Sequence, residues 1–392
     1  MAFAINRVRT CFKSHGTTVS PHPEEARKAV SKDEGAPERA KVILRDATLW
    51  LLRMRARLLK QALNLQPIDR SKPIGNAPIP ASASRSSRTL PFRLGTRGSP
   101  LALAQARELA GRLEAAHGAA HAIEIVAIKT SGDMILHLPL SEAGGKGLFT
   151  KELDLALLAG NIEMAVHSAK DLPTVLPSGI EIAGYLPRAD VRDAWISPHA
   201  PHPLKLPPGS LVGTASLRRG AMVRRLRPDL KVTLLRGNVE TRLAKVAKGE
   251  VAATLLALAG LKRLGLEAAA TAVLDVREFV PAPGQGAIAI TVRVGDNVIQ
   301  AFLAPVLDAV TGIALAAERA FLKVLDGSCK TPIGAYACVE AGHVAFRAIV
   351  LKPDGSRFFE TEVSGPVGEA ASFGEMAGQT LAAQIPADFF DP

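Results

Sequence analysis

Residues 92–128, FRLGTRGSPLALAQARELAGRLEAAHGAAHAIEIVAI, decide the fold class. Residues 92–96 and 123–128 are short β-type runs, and the text between them repeats its apolar residues at helical spacing from Ser99 to about His117. Ser99 is suited to cap that helix and Pro100 to be its first residue, because proline lacks the N–H that would stay unpaired there. Strand, helix and strand within about 40 residues form a βαβ unit, since parallel strands need a crossover connection.

Working outward, the alternation continues. A helix is expected over 150–159, with strands over 164–167 and 180–185. A second series places strands at 211–213, 231–235 and 253–256, each followed by a helix, starting near Ser216, Val239 and Ala259. Two successive α/β units with a crevice between them follow from this order. A strand at 287–293 precedes a helix at 312–325. Runs 334–340, 343–351 and 357–363 read as an antiparallel meander with Asp354-Gly355 as a turn, closed by a helix at 370–383. The expected division is a leader and linker at 1–89, a first α/β domain at 90–187 plus 286–305, a second at 191–281, and a smaller α+β domain at 309–392.

The chain has 392 residues and a formal net charge of +11. Residues 1–90 hold 17 Lys+Arg against 7 Asp+Glu, leaving 31 against 30 for the rest, so the folded part is close to neutral. No secretory apolar core follows the first basic residues. Residues 48–65, TLWLLRMRARLLKQALNL, are apolar and basic, and 66–91 are rich in Pro, Ser and Ala, as a linker is. Three readings of the leader stay open: an unfolded appendage or a start assigned too far upstream, a targeting segment, or a surface helix for a membrane or partner. The longest apolar run, 251–261, is far shorter than the roughly 20 residues a membrane span needs. Cys11, Cys329 and Cys338 are too few and too scattered for a disulfide framework or a structural zinc site. The expected compartment is the cytoplasm, or an organelle if the leader is a transit peptide, and no metal site is expected.

Arginines recur where strands end. Thr214, Ser216, Arg218 and Arg219 follow a strand and open a helix; Arg236 and Gly237, with Arg242, do so after the next strand, and Lys262 and Arg263 after the third. Arg97 holds the same place in the first unit. Such groups face one crevice and suit a polyanion, against the blander reading of solvated helix faces. With 4% aromatic residues and a near-neutral body, a small polycarboxylate fits better than nucleic acid. Ser168, Lys170 and Asp171 end a strand and enter a loop; Asp171 reads as an acid, a base or a cation stabiliser, or else as a loop cap. The turn 144–147, GGKG, lacks Walker A spacing and reads as a loop or lid. Cys329 stands beside Lys330, which favours a thiolate, whereas Cys338 reads as core filler.

Eight stretches in order, LGTRGSPLALAQA (94–106), GGKGLFTKEL (144–153), AVHSAKDLP (165–173), VGTASLRR (212–219), LRGNVETRL (235–243), AGLKRLGL (259–266), PAPGQGAIAI (281–290) and ERAFLKVLDGSCKTPIGAYA (318–337), resemble the porphobilinogen deaminase family of tetrapyrrole biosynthesis. The resemblance implies two α/β domains like those of periplasmic binding proteins and a smaller α+β domain. It implies a dipyrromethane cofactor bound through a thioether to Cys329, and a transferase that condenses four porphobilinogen molecules with loss of ammonia before hydrolysis. By the same resemblance Asp171 is catalytic; Lys170, Ser168, Arg218, Arg219, Thr214, Ser216 and Gly237 contact the cofactor; Arg97, Arg236, Arg242, Arg263 and Gln285 hold substrate. Gln285 also falls where the chain returns to the first domain, a hinge. The implied partner is a small-molecule polycarboxylate, with no nucleic acid or membrane, and the implied state is a monomer. Glu142 stands where some family members have a basic residue, and the leader has no counterpart. The rival reading is a solute-binding module of the same two-domain fold, which would have no use for Cys329.

Overall fold

The computed structural model describes residues 91–118, 122–134, 147, 149–325, 331–386 and 388–390. The decisive stretch folds as β1 (Phe92–Arg97), α1 (Pro100–His117) and β2 (Ile123–Ile128). The strands are parallel, with Phe92 opposite Ile123 and Arg97 opposite Ile128. Ser99 caps α1 by accepting from the N–H of Ala102, and Pro100 opens it. Ala102, Ala106, Leu109, Ala110 and Leu113 form its buried stripe. That stripe packs on Leu94, Met164, Val166, Ile288 and Ile290 of the sheet, and burial of such a face supplies most of a helix's stability.

The chain continues through α2 (Lys151–Leu158), β3 (Met164–Ser168) and β4 (Ile180–Tyr185). It then crosses to β5 (Asp193–Ile196), β6 (Leu211–Gly213), α3 (Leu217–Leu226), β7 (Lys231–Thr233), α4 (Val239–Ala247), β8 (Ala253–Ala257), α5 (Leu258–Arg263) and β9 (Ala272–Val273). After a return crossing come β10 (Ile288–Arg293), α6 (Asn297–Leu303), α7 (Ala309–Val324), β11 (Ile333–Glu340), β12 (His343–Leu351), β13 (Phe358–Pro366) and α8 (Ala370–Ala382).

The two five-stranded sheets share one plan. Their orders are β2-β1-β3-β10-β4 and β7-β6-β8-β5-β9. In each, three parallel strands are followed by an antiparallel one, β10 or β5, which is the first strand formed after the chain crosses between sheets. The result is an α/β molecule with two five-stranded sheet domains and a smaller α+β region, in which β11, β12 and β13 form an antiparallel sheet covered by α7 and α8. The sequence pattern contained no strand at β5 or β9 and no helix at α6. The four residues of β5, DAWI, are all buried, so the alternation that marks a half-exposed strand is absent. Helix α7 begins three residues before its expected start because Asp308 Oδ1 accepts from the N–H and hydroxyl of Thr311. Cys338, read from the sequence as core filler, is half-buried in β11 beside Tyr336 and Ala345 and is disulfide-bonded as well.

The third region shares a core with both sheets. Ala169, Leu172 and Tyr185 of the first pack with Leu315, Phe321 and Phe346, while Trp195, Phe279 and Val280 on the second side pack with Ile349 and Leu351 of β12. Between the sheets the two crossings run side by side. The N–H of Leu186 donates to Ile288 O at 3.1 Å and that of Ala189 to Gly286 O at 3.2 Å. Gly286 has φ +85°, and a Cβ there would lie 2.5 Å from Ala189 O. Glycine is required for this approach. Among the described residues no single helix is long and apolar enough to cross a membrane.

Candidate active site at the crossing of the two sheets

Strand β3 ends at Ser168 and passes into a single 3-10 turn, Ala169–Asp171. The turn presents Lys170 and Asp171, both half-buried, beside the return crossing. Lys170 Nζ donates to Gln285 Oε1 at 3.3 Å. Burial, together with the cations Arg219 and Arg218 and against the pull of Asp171 and Asp193, lowers the Lys170 ammonium to about 8. Ser168 Oγ accepts from Gln105 Nε2 of α1 at 3.0 Å. His167, one residue earlier, is buried with Nε2 2.9 Å from Thr291 Oγ1. Burial and then the charge of Arg97 lower it to about 4, so it is neutral at ordinary pH.

The arginines divide into two groups. Arg97 at the end of β1, Arg236 between β7 and α4, and Arg242 in the first turn of α4 are all half-buried. The Arg97 guanidinium lies over the ring of Phe149, 4.2 Å from its centroid. Arg242 Nε donates to Gly237 O at 2.9 Å. Burial, then repulsion from Arg219 and Arg236, lowers Arg242 to about 10, with Asp171 opposing. These four groups therefore share one electrostatic neighbourhood, which is where an anion relieves the repulsion. Gly237 has φ +120° and lets Asn238 follow as cap of α4, with Asn238 Oδ1 accepting from the N–H of Thr241. At the start of α3, Thr214 Oγ1 accepts from the N–H of Ser216, and Ser216 Oγ from that of Arg219.

Arg218 and Arg219 form the second group, and the residue that controls them has no part in the sequence reading. Asp193, the first residue of β5, is fully buried. Its Oδ2 accepts from Arg218 Nη2 at 2.8 Å; its Oδ1 accepts from Arg219 Nε at 2.9 Å, Arg219 Nη2 at 2.7 Å and Gln285 Nε2 at 3.1 Å. Burial works to raise this carboxyl, and the two guanidiniums overcome it and hold it at about 2. Arg218 shares its one carboxylate with a second cation, so for Arg218 burial wins and the guanidinium is lowered. Its Nη1 is also engaged, on Val280 O at 2.7 Å.

Arg218 thus ties α3 to the start of β5 and to the return crossing. Arg219 pairs with the same carboxylate, and its charge still reaches Lys170 and Arg242. Gln285, expected on substrate, is fully buried and committed to Val191 O, Asp193, Lys170 and Arg219. It joins the two crossings to β3 and α3. Arg263, also expected on substrate, pairs with Glu108 and with Gly286 O. A lone acid opening an apolar strand was the available signal for Asp193, since a buried charge needs partners. Glu318 was missed in the same way: it is fully buried on α7, its oxygens 2.6 and 3.0 Å from the Arg188 guanidinium, and it accepts from the N–H groups of Gly284 and Ala337. Cys329 and residues 144–146 lie outside the described residues.

Asp171 makes no ion pair among the described residues, and cations outnumber acids around it. That surplus complements a ligand with several carboxylates, and a dipyrromethane with acetate and propionate arms has this character. Among the described residues no three His, Cys, Asp or Glu side chains are grouped to hold a metal ion.

Fold and site together define an α/β protein of two five-stranded sheet domains with a cationic crevice at their crossing and an added α+β region. The model of the porphobilinogen deaminase dipyromethane cofactor binding domain matches residues 92–301, and that of the porphobilinogen deaminase C-terminal domain matches 313–383. The porphobilinogen deaminases of Nitrobacter winogradskyi and Nitrobacter hamburgensis are each 55% identical over 298 residues, covering 76% of this chain and 94% of theirs. The chain belongs to the porphobilinogen deaminase family. Among solved structures, a putative methionine-binding lipoprotein of Bacillus subtilis is 12% identical over 55% of this chain and 89% of its own, with a TM-score of 0.35. That likeness is too slight to bear on the assignment.

Proposed function

We propose that this chain condenses four porphobilinogen molecules head to tail, releasing ammonia at each step, and hydrolyses the product to hydroxymethylbilane, with a dipyrromethane attached to Cys329. The observation that carries the reading is Asp171: a carboxylate in the 3-10 turn after β3, outside any ion pair among the described residues, set among cationic side chains. When bound, the dipyrromethane supplies a pyrrole with a free α-carbon as the growing end. Asp171 faces the positive charge that develops on a pyrrole as its amino group leaves, and it accepts the pyrrole N–H proton. Arg97, Arg236 and Arg242 hold acetate and propionate groups, and the Lys170 ammonium, charged at neutral pH, adds a further contact. Gln285, Asp193, Arg218 and Arg219 keep these groups in place across the crossing.

The test is paired. The reduced, intact protein is expected to be heavier than its sequence by a two-pyrrole adduct that maps to Cys329. Asp171→Asn is expected to keep the adduct while turnover falls by a factor on the order of 10² or more. An active enzyme with an unmodified, homogeneous mass would remove the cofactor assignment, and wild-type rates in Asp171→Asn would remove the role of Asp171.

A further inference from the structure

Arg263 ends α5 of the second sheet domain, yet its guanidinium is bound on the other side of the crevice. Nε donates to Glu108 Oε2 of α1 at 3.0 Å and Nη2 to Gly286 O of the return crossing at 3.1 Å. Glu108 is held in turn by Arg112, 3.5 Å away one helical turn on. The Arg263 side chain is 11% exposed and that of Glu108 28%, so the pair is shielded without being sealed from ligand. The surrounding contacts place it next to the site. Glu108 lies one turn along α1 from Gln105, which touches Ser168, and Gly286 follows Gln285, which touches Lys170. Helices α1 and α5 meet closely here, with Leu101 3.5 Å from where a Cβ on Gly260 would stand.

The edge formed by Nε and Nη2 is the one with which a guanidinium grips a carboxylate in a two-pronged contact. In this chain a protein carboxylate occupies half of that edge and a backbone carbonyl the other half. We propose that Glu108 is a positioning residue that stands in for a substrate carboxylate on Arg263, latching the two sheet domains together until a carboxylate of porphobilinogen or of the growing chain displaces it. The inference rests on the function proposed above. Displacement exchanges one charge-assisted contact for another at little net cost, so Arg263 stays paired throughout and the domains separate only when ligand has arrived.

Glu108→Gln tests this, because Gln has similar helix propensity and leaves α1 intact. With the latch charge removed, KM for porphobilinogen is expected to fall about two- to fivefold, the range of a partly exposed ion pair, with kcat kept. In an Arg263→Gln background the same change is expected to leave KM where Arg263→Gln alone puts it. Labelling of Arg263 by phenylglyoxal, mapped by mass, is expected to be faster by a similar factor in Glu108→Gln, and this readout does not depend on turnover. An unchanged or raised KM with unchanged labelling would overturn the proposal and leave Glu108 a structural strut. An equal KM shift in both backgrounds would also overturn it, since the effect would not pass through Arg263. If the wild-type protein releases no ammonia from porphobilinogen, the function proposal itself fails and this one with it.

Discussion

Asp193→Asn tests how the site is held. The native carboxylate is fully buried and accepts three guanidinium N–H bonds at 2.7–2.9 Å and one amide bond at 3.1 Å. Asparagine keeps the shape and removes the charge, leaving two guanidiniums whose side chains are 4% and 7% exposed without a counter-ion. Breaking a buried pair in this way costs about 3–5 kcal/mol, because the stranded cations cannot be resolvated. For a protein of this size that lowers the melting temperature by on the order of 10 °C. The pH dependence gives a second measure. Asp193 sits at about 2 in the folded protein, below the ordinary 3.8, a shift that contributes roughly 2 kcal/mol. With its folded value depressed, this contribution is fully present above about pH 4 and is lost as pH falls toward 2. Urea midpoints measured from pH 6 down to 3 should therefore fall more steeply in the wild type than in Asp193→Asn below pH 4. A variant that melts within about 2 °C of wild type, with the same acid slope, would show that the pair does not hold the crossing.

Two further outcomes follow from the same neighbourhood. His167, buried and lowered to about 4, is protonated in the unfolded chain first, so stability present above pH 6.5 is lost as pH falls toward 4, by roughly 3 kcal/mol. His167→Gln is expected to flatten the urea-midpoint profile over that window, and a parallel decline in both proteins would count against it. Lys170, lowered to about 8, loses its charge as pH rises through that value. KM for porphobilinogen is expected to climb above pH 8 in the wild type and to stay level in Lys170→Gln; a matching climb in the variant would assign the titration elsewhere.

The stretch 92–128 made the first βαβ unit legible because the helical stripe of α1 and the cap at Ser99 are both local properties of the chain. The arginines at strand ends were legible for the same reason: topology carries the end of each parallel strand to the same crevice. The antiparallel strand β5 was not legible, since a fully buried four-residue strand has no alternation, and its partners β8 and β9 lie about 60 to 80 residues further along the chain.

Sequence by itself determined the α/β class, the βα series, the meander at the end and the set of charged residues near the site, all of which depend on spacing and composition. Tertiary structure alone decided what those charges do. Arg218, Arg219, Arg263 and Gln285 read alike as ligand contacts in the sequence. In the fold Asp193 is hydrogen-bonded to Arg218, Arg219 and Gln285, and Glu108 to Arg263, contacts between residues far apart in the chain that no local pattern announces. Arg236 and Arg242 are half-buried near Asp171, on the part of the crevice that the chain crossing does not supply with Asp193.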